Sequence, residues 1–399
     1  MKKVTRKEFI GTGFLAGCSL LIPKFLKATG SFAGVQGDRK LIVVQLSGGN
    51  DGLNTIIPYR NDIYYSNRPV LSYKTNEVLP LSDELGFNPS MKSLRSLFEK
   101  GDMCILNNVG YPDPDRSHFR SMDIWQTASG SNEYLNSGWL GRYLDATCND
   151  CSNAHLVLEA DDMLSLALKG KQVNGMAVKN PERLWRAVHD PFFEKLSKTS
   201  NEGHHHELTD YLYKTALDTQ GSVDYLVAKA RKATTIADYP DNEFGKNLKM
   251  ISGLIGSGCE TRVYYVSLTG FDTHARQKQV QERLLETLSD GLNALVSDLK
   301  QNGHFNNTLI MTFSEFGRRV KENGSAGTDH GAANNLMLLG GSLKKTGFYN
   351  APPDLQNLQS GDVAHTVDFR NVYATVLEKW LQTDPSIIIT QKTTPESFI

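Results

Sequence analysis

Residues 307–331 read NTLIMTFSEFGRRVKENGSAGTDHG, and the fold class turns on them. Leu309-Ile310-Met311-Thr312-Phe313 is a short apolar run, the pattern of a strand buried in a parallel sheet. Ser314, Glu315, Gly317, Arg318 and Arg319 follow at once. A glycine-rich loop then brings Asp329 and His330 between Thr328 and Gly331. Open α/β sheets bind ligands outside the carboxyl ends of their strands. Chemistry is therefore expected where a carboxylate at a strand end meets Asp-His on the next loop. The competing reading is a surface loop with a salt bridge.

Outward from this stretch the same pattern recurs. Leu41 to Leu46 reads as a central strand and ends in Ser47-Gly48-Gly49-Asn50-Asp51. Glycines let the backbone turn tightly there, and the ordinary role of Asp51 would be a turn or helix cap. Arg262 to Leu268 is another strand, running into Thr269-Gly270-Phe271-Asp272-Thr273-His274. Met103 to Val109 is a further strand, and its loop leads to Arg116, Ser117 and His118 at a helix N-terminus. Backbone N–H groups favour an anion at such a terminus, although a serine there more often serves as N-cap. Helices are expected over 91–100, over 244–255 and from beyond His274 to Leu299, with Val372, Val376 and Trp380 at helical spacing after His365, Asp368 and Arg370. Three strands thus end in an acid, Asp51, Asp272 or Glu315, with His274, Asp329 and His330 close behind. A parallel sheet brings such ends to one edge. Carboxylate and imidazole in this mixture suit a divalent metal: zinc, manganese or calcium, as one ion or two. A pair of ions about 4 Å apart would clamp both oxygens of a phosphoryl-type displacement.

The 399-residue chain could hold one large domain with insertions, or two domains. We expect residues 36–399 to form one domain, with 136–240 a helical, irregular insertion carrying helices at 183–187, 192–196, 208–217 and 223–237. A net charge of −1 gives no case for nucleic acid or an anionic membrane surface as a bulk partner. Residues 1–35 read as an export signal and linker: Lys2, Lys3, Arg6 and Lys7 precede an apolar run from Phe9 to Ile22. Thr5-Arg6-Lys7-Glu8-Phe9-Ile10 resembles a twin-arginine export signal with Lys7 in place of the second arginine. Leu15-Ala16-Gly17-Cys18 also reads as a lipoprotein cleavage box, so the one membrane attachment foreseen is a lipid anchor on Cys18. The apolar run continues through Leu20, Leu21 and Ile22, which suits ordinary cleavage and a periplasmic product. No other stretch approaches the ~18 apolar residues that span a bilayer. Cys148-Asn149-Asp150-Cys151 suits a small disulfide, Cys104 the core, and His204-His205-His206 a solvated loop.

The motifs LSGGNDGLNT, RSHF, GFDTH, FSEFGR and GTDHG, in this order, resemble the exported bacterial family known as domain of unknown function 1501. The resemblance spans about Leu41 to Leu381. It implies kinship with the alkaline phosphatase and sulfatase superfamily: a three-layer α/β sandwich with a central, mostly parallel sheet and a metal site at the carboxyl ends of the strands. By the same resemblance Asp51, Asp272, His274, Glu315, Asp329 and His330 are metal ligands, Asp329 as ligand or just behind one. A competing alignment makes Asp329-His330 the Asp-His motif and His365 the later histidine. Phe316 stands where a histidine is usual. The family's nucleophile position falls near Pro114, and Ser117 is the nearest hydroxyl.

Two functions follow as expectations. One is an exported metal-dependent hydrolase of phosphate or sulfate esters, small-molecule or glycan. In it Ser117 or an activated water attacks, while Arg116 or His118 holds the anion. The alternative is a non-catalytic exported binding or assembly protein that retains the fold.

Overall fold

The computed structural model of the chain describes residues 38–147, 154–191 and 207–399. The export segment with Cys18, the Cys148–Cys151 pair, the helix expected at 192–196 and the histidine tract lie outside the described residues.

Nine strands form the main sheet. In chain order they are β1 (Lys40–Ser47), β2 (Met103–Gly110), β3 (Val157–Glu159), β4 (Met176–Ala177), β5 (Val263–Thr269), β6 (Thr308–Phe313), β7 (Asn334–Leu339), β8 (Gly347–Phe348) and β9 (Val367–Asp368). Their spatial order is β8-β2-β7-β6-β1-β5-β3-β4, with β9 also pairing with β2. Every pairing is parallel except those of β7, which runs against both β2 and β6. This mostly parallel sheet is the one expected.

Both faces of the sheet are covered, which is why β1 is a continuous apolar run rather than an alternating one. Ile42, Val44 and Leu46 share a core with α2 (Lys92–Glu99), α6 (Glu243–Gly256) and α7 (Gln277–Gln301). Leu41 and Val43 point the other way. They pack with α3 (His118–Thr127), α4 (Trp139–Thr147) and α8 (Phe369–Thr375). On that face the Trp125 ring stacks on Phe369 at 4.2 Å, and Trp139 stacks on Tyr373 at 4.3 Å. The result is a three-layer α/β/α sandwich. Cys104 and Cys259 are buried as free thiols.

The 136–240 segment does more than flank this sheet. It supplies β3 and β4, which extend the sheet beyond β5. The two helices expected at 208–217 and 223–237 are one, α5 (Glu207–Ala230), which passes through Gly221 without a break. His155 in this segment is buried, with its ring stacked on Tyr225 at 4.5 Å and Nδ1 against the Ser222 hydroxyl.

Candidate metal centre

Register sets the height of the loops. Ser47 at the end of β1 pairs with Thr269 of β5, and Gln45 pairs with Phe313 of β6. The three strands therefore release their loops side by side. Gly48 turns the first loop with φ +116°, and a Cβ there would lie 2.4 Å from the backbone nitrogen of Asp272. Only glycine lets the β1 and β5 loops come this close.

Three imidazoles converge on one carboxylate oxygen in the space so formed. Asp272 Oδ1 lies 3.0 Å from His274 Nε2, 3.3 Å from His330 Nε2 and 3.4 Å from His118 Nε2. His274 Nε2 and His330 Nε2 are 2.9 Å apart. Each ring is held from behind through Nδ1. Glu315 takes His118 at 3.0 Å, Asp329 takes His274 at 3.2 Å, and the Arg116 carbonyl takes His330 at 2.7 Å. Carboxylates and carbonyls accept, so the three Nδ1 atoms carry the protons and the three Nε2 lone pairs face inward. His118 Nε2 is buried and makes no hydrogen bond.

This donor set fits a cation. Two imidazole nitrogens whose lone pairs face each other at 2.9 Å repel unless a cation or a proton stands between them. Tetrahedral zinc with bonds near 2.0–2.1 Å separates its ligand atoms by about 3.3 Å, and the three distances from Asp272 Oδ1 and the one between His274 Nε2 and His330 Nε2 run from 2.9 to 3.4 Å. Among the described residues, His118, Asp272 and His330 offer ligand atoms within 4.8 Å of one another, a group that does not include His274.

The electrostatics pull both ways, since a raised imidazole holds its proton against a metal and a lowered one yields it. Partial burial works against ionisation of Asp272, but the bond from Arg318 and the Arg318 charge hold its carboxyl down at about 2. The hydrogen bond to Glu315 raises His118 above the ordinary imidazole range, with burial opposing. Burial pushes His330 down. Bonds from Asn323 and His274 keep Asp329 below its usual value.

The residues singled out from sequence take different places. Asp272, His274 and His330 sit in the cluster. His118, expected to hold an anion, turns its ring into the cluster instead, because Glu315 captures the opposite nitrogen. Glu315 and Asp329 stand one layer out as imidazole partners; Glu315 also accepts from Gly48 N at 2.8 Å. Asp51 stands outside. It is fully buried and bonded to Arg68 by both oxygens, Nη1 to Oδ2 at 2.6 Å and Nη2 to Oδ1 at 3.0 Å. It also accepts from Leu53 N and from the Gln277 side chain, and caps the short helix α1 (Gly52–Thr55). Its charge is spent, so it is not available to the three histidines. The Arg116 guanidinium is taken by Asp362, leaving its carbonyl to serve His330. Ser117 is exposed at the start of α3, with no capping bond from its hydroxyl. His365 is absent from the cluster, which disfavours the alignment that made it a ligand.

Sequence reading passed over Arg318 as a site residue. Its side chain is fully buried. It donates to the carbonyls of Gly48, Gly49, Phe271 and Thr328 and reaches Asp272 Oδ1 at 2.8 Å. Its place at a strand end, within FSEFGR, was the available signal. Phe316, at the position where a histidine was expected, lies under the rings of His330 (4.5 Å) and His118 (4.9 Å).

Residues 101–392 match the family described as "Protein of unknown function (DUF1501)". The chain belongs to this family. The matched span holds all four residues of the cluster and leaves out Asp51 and Arg68. A comparison with curated proteins returned no match. Among solved structures, the chain is similar to the C-terminal periplasmic domain of EcEptC from Escherichia coli, with 11% identity over 90% of this chain and 89% of that one and a TM-score of 0.40. It is also similar to the PsFucS1 sulfatase from Pseudoalteromonas sp. (11% identity, 94% and 73% covered, TM-score 0.40). A third is the phosphonate monoester hydrolase SpPMH from Silicibacter pomeroyi (8% identity, 90% and 78% covered, TM-score 0.39). Likenesses of this degree assign no activity to the chain.

Proposed function

We propose that the protein is an exported, metal-dependent hydrolase of phosphate or sulfate esters, acting on a small-molecule or glycan substrate with one divalent ion. The convergence of three imidazole Nε2 atoms on Asp272 Oδ1 carries this reading. Three nitrogens and one oxygen favour zinc, and manganese less so; calcium prefers an all-oxygen shell. His118, Asp272, His274 and His330 would hold the ion, with Glu315, Asp329 and the Arg116 carbonyl fixing the rings. A divalent ion in this place supplies Lewis acidity toward an ester oxygen. Phe316 closes the floor against water, and Arg318 adds a fixed positive charge beside Asp272. The Ser117 hydroxyl, one residue before His118, or a water in the cleft is the attacking group.

One observation favours a second reading, a binding or assembly protein that keeps the fold without chemistry. The Ser117 hydroxyl is not hydrogen-bonded to a base. Metal analysis of the purified protein, with a screen of aryl phosphates, sulfates and phosphonates, separates the two. Zinc at one ion per chain with ester hydrolysis supports the hydrolase. Zinc without hydrolysis supports the binding protein, and no metal after gentle purification refutes the hydrolase. Export to the periplasm, with cleavage of the signal within residues 1–35 or a lipid on Cys18, is read by fractionation and mass measurement of the mature N-terminus.

A further inference from the structure

An open cleft of about 410 Å³ adjoins the cluster, and His118, Asp272, Glu315 and Gly48 line its polar end. Phe119 and Met122 line it too, with Thr269 and Gly270. Phe119 and Met122 are three residues apart in α3 and so share one side of the helix. Phe119 is 88% exposed, more than any other large apolar side chain among the described residues. A lone exposed apolar residue needs no explanation. This one follows His118 directly in α3 and lines the same cleft as His118, Asp272 and Glu315. The cleft is also in the size range that accepts a drug-sized organic ligand.

Resting on the hydrolase reading, we infer that Phe119 and Met122 form a specificity wall for an ester whose alcohol portion presents a flat apolar ring face. The polar end of the cleft takes the anion and the wall takes the ring. An aryl group and the C–H face of a pyranose share this chemistry. Phe119 is a specificity residue that touches the alcohol portion and takes no part in bond breaking.

Equilibrium binding to the zinc-loaded full-length protein tests the wall, using phenylphosphonate, glucose 1-phosphate and methylphosphonate, with phenol as a ligand that carries no anion. Phe119→Ala removes an exposed side chain and leaves folding intact; Met122→Ala is the second variant. At least one ring-bearing anion should bind roughly tenfold tighter than methylphosphonate, a margin typical of one aromatic contact. Phe119→Ala should erase that margin and the weak binding of phenol, with zinc content unchanged. Which ring loses affinity tells aryl from sugar. Equal affinities for ring and methyl anions, together with phenol binding indifferent to Phe119, overturn the wall while the metal reading stands. Failure of all three anions with phenol binding still dependent on Phe119 overturns the hydrolase and keeps the wall.

Discussion

Arg68 and Asp51 provide the sharpest test of how the strand-end acids are used. Both side chains are fully buried. Arg68→Met keeps most of the volume but strips Asp51 of its counter-charge, leaving only Leu53 N and the Gln277 amide as donors. Breaking a buried pair from one side costs about 3–5 kcal/mol, because the remaining charge stays buried and unpaired. Arg68 also serves Asn54 Oδ1 and the carbonyls of Val320 and Arg319, and stranding those acceptors adds to the loss. The broken pair alone, at about 4 kcal/mol, lowers Tm by about 5 °C for a domain of this size, where the unfolding entropy scales with length. Removing the orphaned charge as well, in Asp51→Asn/Arg68→Met, should recover about half of that loss. Calorimetry with parallel zinc analysis reads both quantities. Asp51→Asn should destabilise the protein and leave its zinc in place. A variant that loses zinc while keeping its Tm would show that Asp51 is a ligand and that this account of the centre is mistaken.

Four further outcomes are expected. His330→Ala should lower zinc content sharply with little change in Tm, since it sits in a loop of the cluster; equal zinc in mutant and wild type, measured after gentle purification, would remove it from the centre. Asp329→Asn weakens the hold on His274 Nδ1 and should cut zinc affinity about 10- to 100-fold, as losses behind a metal ligand do; competition with a chelator gives the value. Ser117→Ala should leave zinc untouched and abolish ester hydrolysis, and full activity in the variant would hand the attack to water. Burial pushes the Glu159 carboxyl up to about 7, with bonds from Ser165 opposing. The folded state therefore holds a proton that the unfolded chain releases near pH 4.5, and stability falls as pH rises from about 4.5 to 7. Glu159→Gln should be more stable than wild type at pH 8, by up to about 3 kcal/mol, and close to it at pH 4.5 in urea titrations. A constant difference across that range would refute the assignment.

The strands were legible because each central one is buried on both faces and bounded by glycine or polar loops. Hence β1, β2, β5 and β6 agree with the sequence reading to within a residue or two. The outer strands β3, β4, β8 and β9, two or three residues each, are too short to show any period. The reversal of β7 is a matter of topology that its residues do not encode locally. In the candidate centre, sequence located the loops but not the direction of their side chains. Asp51, Asp272 and Glu315 look alike at three strand ends. Arg68 claims the first, the second faces the histidines, and the third stands behind His118. Nothing near Arg68 in the sequence marks it as the partner of Asp51. His118 appeared to be a residue of a helix N-terminus, and only the position of Glu315 across the sheet edge turns its ring inward.

The bonds from Arg318 to four carbonyls bear on how fast metal can come and go. They lace the β1, β5 and post-β6 loops together without help from any ion. The entropy of gathering distant loops is met during folding, so an arriving ion displaces solvent and a proton rather than reorganising backbone. Uptake and exchange should then proceed at rates set by access through the cleft, with the same circular dichroism before and after loading. A lysine at 318 could not substitute: a single ammonium cannot span acceptors that a planar fork reaches on three nitrogens. In Arg318→Lys, slow metal uptake coupled to loop ordering would replace simple capture.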